Sequence, residues 1–229
     1  MVELIDGIDA GTVRANLARV EADIATAREQ GTPPRPGFAR EGPVQVLAAT
    51  KYLASEDLPA LAEAGIRLVG ENRAQDLQAK FAAHGALFEW DFIGALQSRR
   101  VRAIVPCVRL IHSVASDSAL RELERHRAEA RAGLRILFEV NIAGEQAKAG
   151  IAPEQLGEFI ARAPVPVVGL MTMPPLASDA EQSRPWFRRL RELADEHGLE
   201  QLSMGTSQDY AVAVQEGATI VRIGSTLYR

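Results

Sequence analysis

Residues 44–51 read VQVLAATK, and this stretch decides the fold. A mostly apolar run follows Pro43 and ends at Lys51, which is the pattern of a strand buried on both faces. A helical pattern follows directly, at about residues 55–64. Lys51 is therefore predicted to lie where a strand passes into a loop. In parallel α/β folds, that end of the strand carries the functional residues.

Strand and helix patterns alternate along the rest of the chain. This alternation predicts a (β/α)8 TIM barrel forming a single domain over residues 1–229, which suits the length and composition of the chain. A doubly wound sheet of eight strands is the alternative. The eight strands are predicted at residues 44–51, 66–69, 88–93, 109–114, 134–142, 165–171, 202–204 and 219–223, with helices between them.

One helix is predicted before the first strand, over residues 8–30. Val13, Leu17, Val20 and Ile24 fall on one face at helical spacing. Residues 31–43 are rich in Gly and Pro, and they are predicted to connect this helix to the barrel.

Composition excludes several classes of protein. The 229 residues carry a net charge of −4, which gives no footprint for nucleic acid. No apolar run approaches the roughly 18 residues that span a bilayer. Cys107 is the single cysteine, so no disulfide can form within the chain, and a reducing cytoplasm is the predicted location. The four histidines show no metal-ligand spacing, and His112 is predicted to be a hydrogen-bonded histidine at a strand end rather than a ligand.

Lys51 is notable because lysine is rare here. Only three of the 26 basic residues are lysines, namely Lys51, Lys80 and Lys148. Arginine carries charge equally well but does not deprotonate, so it cannot form a Schiff base. A lysine at a strand end is therefore a candidate for amine chemistry. The alternative interpretation is a solvated charge that merely ends the strand.

Two loops at the same predicted face favour a phosphate group. Gly205, Thr206 and Ser207 follow the seventh strand, and Gly224 and Ser225 follow the eighth. Barrels often bind phosphate with these loops, although two ordinary Gly/Ser turns would look similar. A phosphate site facing a reactive lysine suggests pyridoxal 5′-phosphate (PLP). Arg222 could then face the pyridine nitrogen, or it could form an ion pair at the barrel mouth.

The chain resembles the pyridoxal phosphate homeostasis protein family of the YggS/PROSC type, which shares its barrel with alanine racemase. The resemblance runs from about residue 44 to 226. It is carried, in order, by LAATK (47–51), GEN (70–72), FIGALQS (92–98), IHSV (111–114), VNI (140–142), KAG (148–150), GLMT (169–172), LSMG (202–205) and VRIGS (221–225).

The resemblance implies roles for individual residues. It makes Lys51 the Schiff-base lysine, Arg222 the partner of the pyridine nitrogen, and Asn72 a residue near the ring. Its phosphate-binding segments contain Ser203, Gly205, Thr206, Gly224 and Ser225.

Three positions depart from the family pattern. Thr50 stands where the family usually has Ser, Ala95 where it has His, and Arg73 where it has an aromatic residue. None of these departures falls on the lysine or on the predicted phosphate loops.

We therefore expect a protein that carries PLP on Lys51 in intracellular PLP homeostasis, with little or no turnover and with PLP-dependent apo-enzymes as transient partners. The alternative is an amino-acid racemase of the same barrel class. Those racemases carry an additional C-terminal β-domain, for which this chain, ending at Arg229, offers no counterpart. A barrel enzyme acting on a phosphorylated metabolite without PLP is a third hypothesis.

Overall fold

Eight parallel strands close into a barrel in chain order, as predicted. The computed structural model describes residue 5 and residues 7–32, 42–145 and 148–229. The predicted connector, residues 31–43, therefore lies mostly outside the described residues. The strands are β1 (Gln45–Ala49), β2 (Leu68–Glu71), β3 (Glu89–Phe92), β4 (Leu110–Val114), β5 (Arg135–Glu139), β6 (Val167–Met171), β7 (Gln201–Thr206) and β8 (Ile220–Ile223).

Helices surround this barrel, and one of them precedes it. Within the described ranges they are α1 (Ala10–Gln30), α2 (Leu58–Glu63), α3 (Ala74–His84), α4 (Val101–Ile104), α5 (Asp117–Arg125), α6 (Leu156–Ala161), α7 (Arg184–Glu196), α8 (Tyr210–Gln215) and α9 (Ser225–Tyr228). None of them is long and apolar enough to cross a bilayer.

Alternation along the strands builds two apolar layers. The inner layer fills the barrel with one large side chain from most strands: Leu47, Leu68, Leu110, Leu137, Met171 and Ile220. The outer layer lies between the strands and the helices and contains fully buried Trp90, Phe138 and Phe187. Burying each such side chain contributes about 1.5–3 kcal/mol.

The strand ends differ from the prediction. β1 ends at Ala49 rather than Lys51, because Leu53 N–H donates to Thr50 O at 3.0 Å and closes a turn there. β5 ends at Glu139, three residues before its predicted end at residue 142. Val140 and Ile142 continue the apolar composition past the end of β5, so composition does not show where that ladder of hydrogen bonds stops.

Helix α1 matches the predicted helix, and it packs against α8, α9 and α2. It begins after Asp9, whose carboxylate accepts from Thr12 N–H at 2.7 Å. Its buried residues Val13, Val20 and Ile24 face inward. Asn16 Nδ2 donates to Leu227 O at 3.2 Å, so α1 is tied to α9 beside β8.

Candidate functional site: the mouth of the barrel

Lys51 lies at the carboxyl end of β1, one residue beyond buried Thr50. Its side chain is exposed, and its Nζ lies 4.5 Å from the centroid of the Tyr52 ring. Among the described residues, no backbone oxygen or carboxylate forms a hydrogen bond or an ion pair with this amine. Lys51 is therefore accessible to a reagent that enters the mouth.

The strand order places the other predicted residues beside Lys51. β1 pairs with β8 and with β2, so the loop of Lys51 lies between the loop of Ser225 and the loop of Asn72. A Cβ added to Gly224 would lie 3.8 Å from the Cβ of Ala49, which is ordinary contact between the two strand ends. Ser225 itself is exposed at the start of α9.

Arg222 points into the barrel from β8 and is only 7% exposed. One guanidinium nitrogen donates to Ser203 O and Ser203 Oγ, both at 2.7 Å. The other donates to Thr172 O at 3.0 Å and contacts Met173 Sδ at 2.8 Å. Burial lowers the pKa of Arg222 to about 10, against the opposing charges of Asp209 and Glu139. Arg222 is thus fixed by neutral oxygens and makes no ion pair within the described part of the chain.

Ser203 lies in the barrel interior rather than in a phosphate loop. It is fully buried, and its hydroxyl also contacts His112 Nδ1 at 2.8 Å. Arg222 and His112 both contact this hydroxyl, and a phosphate-binding role for Ser203 stays a prediction. Its placement makes it a support for Arg222.

A chain of polar contacts continues from Ser203 to the opposite end of the barrel. His112 Nε2 contacts Asp91 Oδ2 at 3.1 Å, and Asp91 forms an ion pair with Arg109 at 3.0 Å. His112 is hydrogen-bonded as predicted, although it lies in the interior, and burial lowers its pKa despite the Asp91 carboxylate. A neutral ring that donates from Nε2 to Asp91 accepts from Ser203 at Nδ1.

In the loop after β7, the carboxylate of Asp209 accepts hydrogen bonds from Thr206. Thr206 N–H and Thr206 Oγ1 both donate to Asp209 Oδ1, at 2.7 and 3.1 Å. The predicted phosphate donors of Thr206 are therefore engaged. Ser207 Oγ accepts from Gly224 N–H at 3.3 Å and links this loop to the loop after β8.

Gly205 is required by helix packing. It has φ +91°, a left-handed conformation that favours glycine. A Cβ there would lie 2.6 Å from the Cβ of Ala213 and 3.0 Å from Tyr210 Cα. Residues of α8 therefore lie close to Gly205, and the approach of a ligand to its backbone stays a prediction.

Asn72 follows β2 and lines a cavity of about 180 Å³ together with Arg73, Ala95 and Arg100. Two of the departures from the family pattern thus meet in one place. Asn72 Oδ1 is buried without a hydrogen-bond partner in the described structure. The backbone passes closely here, since a Cβ on Gly94 would lie 2.0 Å from Asn72 O.

Glu139 is a residue of the mouth that sequence reasoning missed. It follows inward-facing Leu137 by two positions at the end of β5, so it points to the same side. Burial raises its pKa, and the charge of Arg222 opposes that rise. The alternation along β5 could have revealed it. The spacing of Thr206 and Asp209, three residues apart, is the local signal that could have revealed their contact.

These residues fit a phosphorylated aldehyde such as PLP. An exposed amine, a buried guanidinium, an exposed serine and an amide oxygen that has no partner among the described residues lie at the carboxyl ends of the strands. Within the described ranges, no group of three or more His, Cys, Asp or Glu side chains is arranged to hold a metal ion.

Comparison with known proteins agrees with this chemistry. The profile of the alanine racemase N-terminal domain matches residues 43–229. The pyridoxal phosphate homeostasis protein of Aquifex aeolicus is 40% identical over 199 residues, covering 82% of this chain and 87% of the relative. The chain belongs to the pyridoxal phosphate homeostasis protein family. The family member from Pseudomonas aeruginosa is 34% identical and covers 95% of both chains.

Solved structures share the barrel fold of this chain. PipY of Synechococcus elongatus, determined with PLP bound, superposes with a TM-score of 0.75 at 29% identity, covering 95% of this chain and all of PipY. Alanine racemase of Bartonella henselae superposes with a TM-score of 0.67 at 14% identity, which establishes the shared barrel alone. This family member covers 59% of that racemase.

Proposed function

We propose that this protein binds PLP through a Schiff base on Lys51 and acts as a carrier in intracellular PLP homeostasis. The observation that carries the proposal is the accessible amine of Lys51 at the same end of the barrel as Arg222, whose guanidinium forms no ion pair with the described residues. The names of the relatives and the PLP bound to PipY support it. PLP would supply an aldehyde that condenses reversibly with an amine.

The remaining mouth residues would hold the other parts of the cofactor. Ser225, Gly224 and Thr206 belong to the loops proposed for the phosphate, where Thr206 would exchange Asp209 for a phosphate oxygen. Arg222 would donate to the pyridine nitrogen in place of its contact with Met173 Sδ, while the oxygens of Ser203 and Thr172 keep it in position. Asn72 would lie at the ring edge, where its free Oδ1 can accept a hydrogen bond.

The positions of the three tyrosines favour a carrier over the alternative, a racemase. Racemisation needs an acid–base group on each face of the substrate. Tyr210 donates to Asp23 on α1 at 2.6 Å, and burial together with Asp23 raises its pKa to about 12. Tyr228 is buried against Ala49 O. Tyr52 remains, but its ring lies against Lys51 rather than opposite it.

The test is an absorbance spectrum of the protein with PLP before and after borohydride reduction, followed by peptide mapping. We expect an imine band and a single label on Lys51. Lys80 is buried in an ion pair, and Lys148 contacts Glu145 at 2.5 Å. A label on either of these lysines, with none on Lys51, would refute the proposed attachment. Absence of an imine would favour the barrel enzyme without PLP.

Turnover is tested separately. The PLP-loaded protein is incubated with L-alanine and other amino acids in D₂O, and the products are analysed on a chiral column. We expect little or no deuterium incorporation or racemisation. Racemisation at about 1 s⁻¹ or faster that is lost in Lys51→Ala would favour the racemase instead.

Delivery to other proteins is part of the same proposal. An exposed Lys51 is open to exchange with a second amine, which suits transfer of PLP to an apo-enzyme. Appearance of activity in a PLP-dependent apo-enzyme, faster than with the same concentration of free PLP, is the expected result.

A further inference from the structure

We propose that the buried ion pair between Glu71 and Lys80 is a positioning device that holds Lys51 in register with Asn72. This inference rests on the proposed function of Lys51. Neither Glu71 nor Lys80 would touch the cofactor, and their effect would act through the two loops that they join.

Lys80 reaches the mouth from the middle of α3. Its side chain is only 8% exposed, and its Nζ lies 2.5 Å from Glu71 Oε1. The same Nζ donates to Thr50 O at 2.8 Å. That carbonyl belongs to the peptide that joins Thr50 to Lys51, so Lys80 fixes the backbone from which Lys51 projects.

Glu71 ends β2 and is fully buried. Its Oε1 also accepts from Thr50 Oγ1 at 2.7 Å, and its Oε2 accepts from Asn72 N–H at 3.1 Å. One carboxylate therefore holds the residue before Lys51 and the amide of Asn72 together. Thr50 stands where the family usually has Ser, and it keeps the hydroxyl that makes this contact.

The energetics argue for a role beyond stability. Two charges lose their hydration on burial, and an apolar pair of similar volume is often as stable or more stable. The contacts of this pair also go to the two loops that flank the site. In contrast, buried Glu216 contacts Arg184 and Arg188 on α7, away from the loops of Lys51 and Asn72.

The test compares two ligands on the variant Lys80→Met/Glu71→Gln, which removes both charges and keeps the approximate shapes. PLP reports Schiff-base formation, whereas 4-deoxypyridoxine phosphate has the ring and phosphate without the aldehyde. We expect the affinity for PLP to fall tenfold or more and that for the analogue to fall less than threefold. The same ratio of affinities as in the unaltered protein would overturn the inference.

The control is Glu216→Gln, which loses a buried carboxylate elsewhere and should leave the ratio unchanged. If the double variant does not fold by circular dichroism, Thr50→Val decides. It keeps the ion pair but loses the hydroxyl contact, and it must show the same selective loss of PLP. Failure of the proposed function itself would be visible in the unaltered protein: after borohydride reduction with PLP, Lys51 would carry no label.

Discussion

Arg222 shows how one charged side chain can be held ready inside a barrel. A buried cation is costly unless its donors are satisfied, and here carbonyl, hydroxyl and sulfur atoms satisfy them without an opposing carboxylate in contact. The charge therefore remains available to a ligand. A cation beside a pyridine nitrogen keeps that nitrogen unprotonated and makes the ring a weaker electron sink, which suits a carrier.

Ser225 carries the residue-scale prediction. In Ser225→Asp a carboxylate would face the proposed phosphate, and repulsion between the two anions should weaken PLP binding at least tenfold while the fold persists. Equilibrium dialysis and circular dichroism measure the two effects. Ala22→Asp adds the same charge on the exposed outer side of α1 and should bind PLP normally. Equal affinities in both variants would show that the phosphate binds elsewhere.

Single residues differ in how far the sequence reveals them. The placement of Lys51 and Arg222 near the ends of two strands could be predicted, because apolar runs in the sequence indicate where those strands lie. The position of Ser203 on Arg222 and His112 could not be found, because it depends on which way β7 faces β4 across the barrel. The contact of Thr206 with Asp209 has a local signal, the Thr-x-x-Asp spacing, which our prediction of the phosphate loops did not use.

At the scale of elements, four strands cooperate in one polar chain through the barrel. Asp91 comes from β3, His112 from β4, Ser203 from β7 and Arg222 from β8. Each replaces an apolar side chain that would otherwise fill the interior. Sequence periodicity predicts that these strands exist, but their last residues depend on turns such as the one at Thr50.

The lowered pKa of buried His112 predicts that the stability of the protein depends on pH. The pKa of His112 is lowered by burial, between Asp91 on one side and the charges of Arg222 and Arg109 on the other. The unfolded chain, with an ordinary value near 6.5, therefore binds the proton first. Below about pH 6.5 the free energy of unfolding should fall, by at most about 1.4 kcal/mol per pH unit.

Urea denaturation between about pH 5 and pH 7.5 measures this slope. His112→Gln should be less stable at neutral pH but should lose less stability on acidification. His197→Gln alters an exposed histidine and should keep the slope of the unaltered protein. A slope unchanged in His112→Gln would assign the acid sensitivity to other groups.

At the scale of the molecule, charge is unevenly distributed. The chain carries a net charge of −4, yet the loops that follow β1, β2 and β3 carry Lys51 and the cavity arginines Arg73 and Arg100. Arg222 adds a buried positive charge, which Glu139 and Asp209 oppose. A cationic cleft in an acidic protein attracts anions and raises their rate of association. The aromatic residue expected at position 73 would contribute no such charge.

The double variant Arg73→Ser/Arg100→Ser tests this field. Stopped-flow absorbance should show PLP associating about threefold more slowly at low salt. The difference should shrink in 0.5 M salt because ions screen exposed charges. Arg125→Ser/Arg127→Ser removes the same charge from around α5 and should leave the rate unchanged. Equal rates for both double variants would remove the argument for steering.

The seam between β1 and β8 also has a consequence for folding. Leu47 pairs with Arg222, so the two halves of the mouth come from strands separated by most of the chain. Contacts between such distant segments form slowly, since the loop entropy is lost before the contact is gained. A chain that has not closed the seam would lack the proposed cofactor site. A ligand that contacts both strands of the seam would bind only the closed barrel and would stabilise it. Ligand occupancy and the lifetime of the closed barrel should therefore rise together.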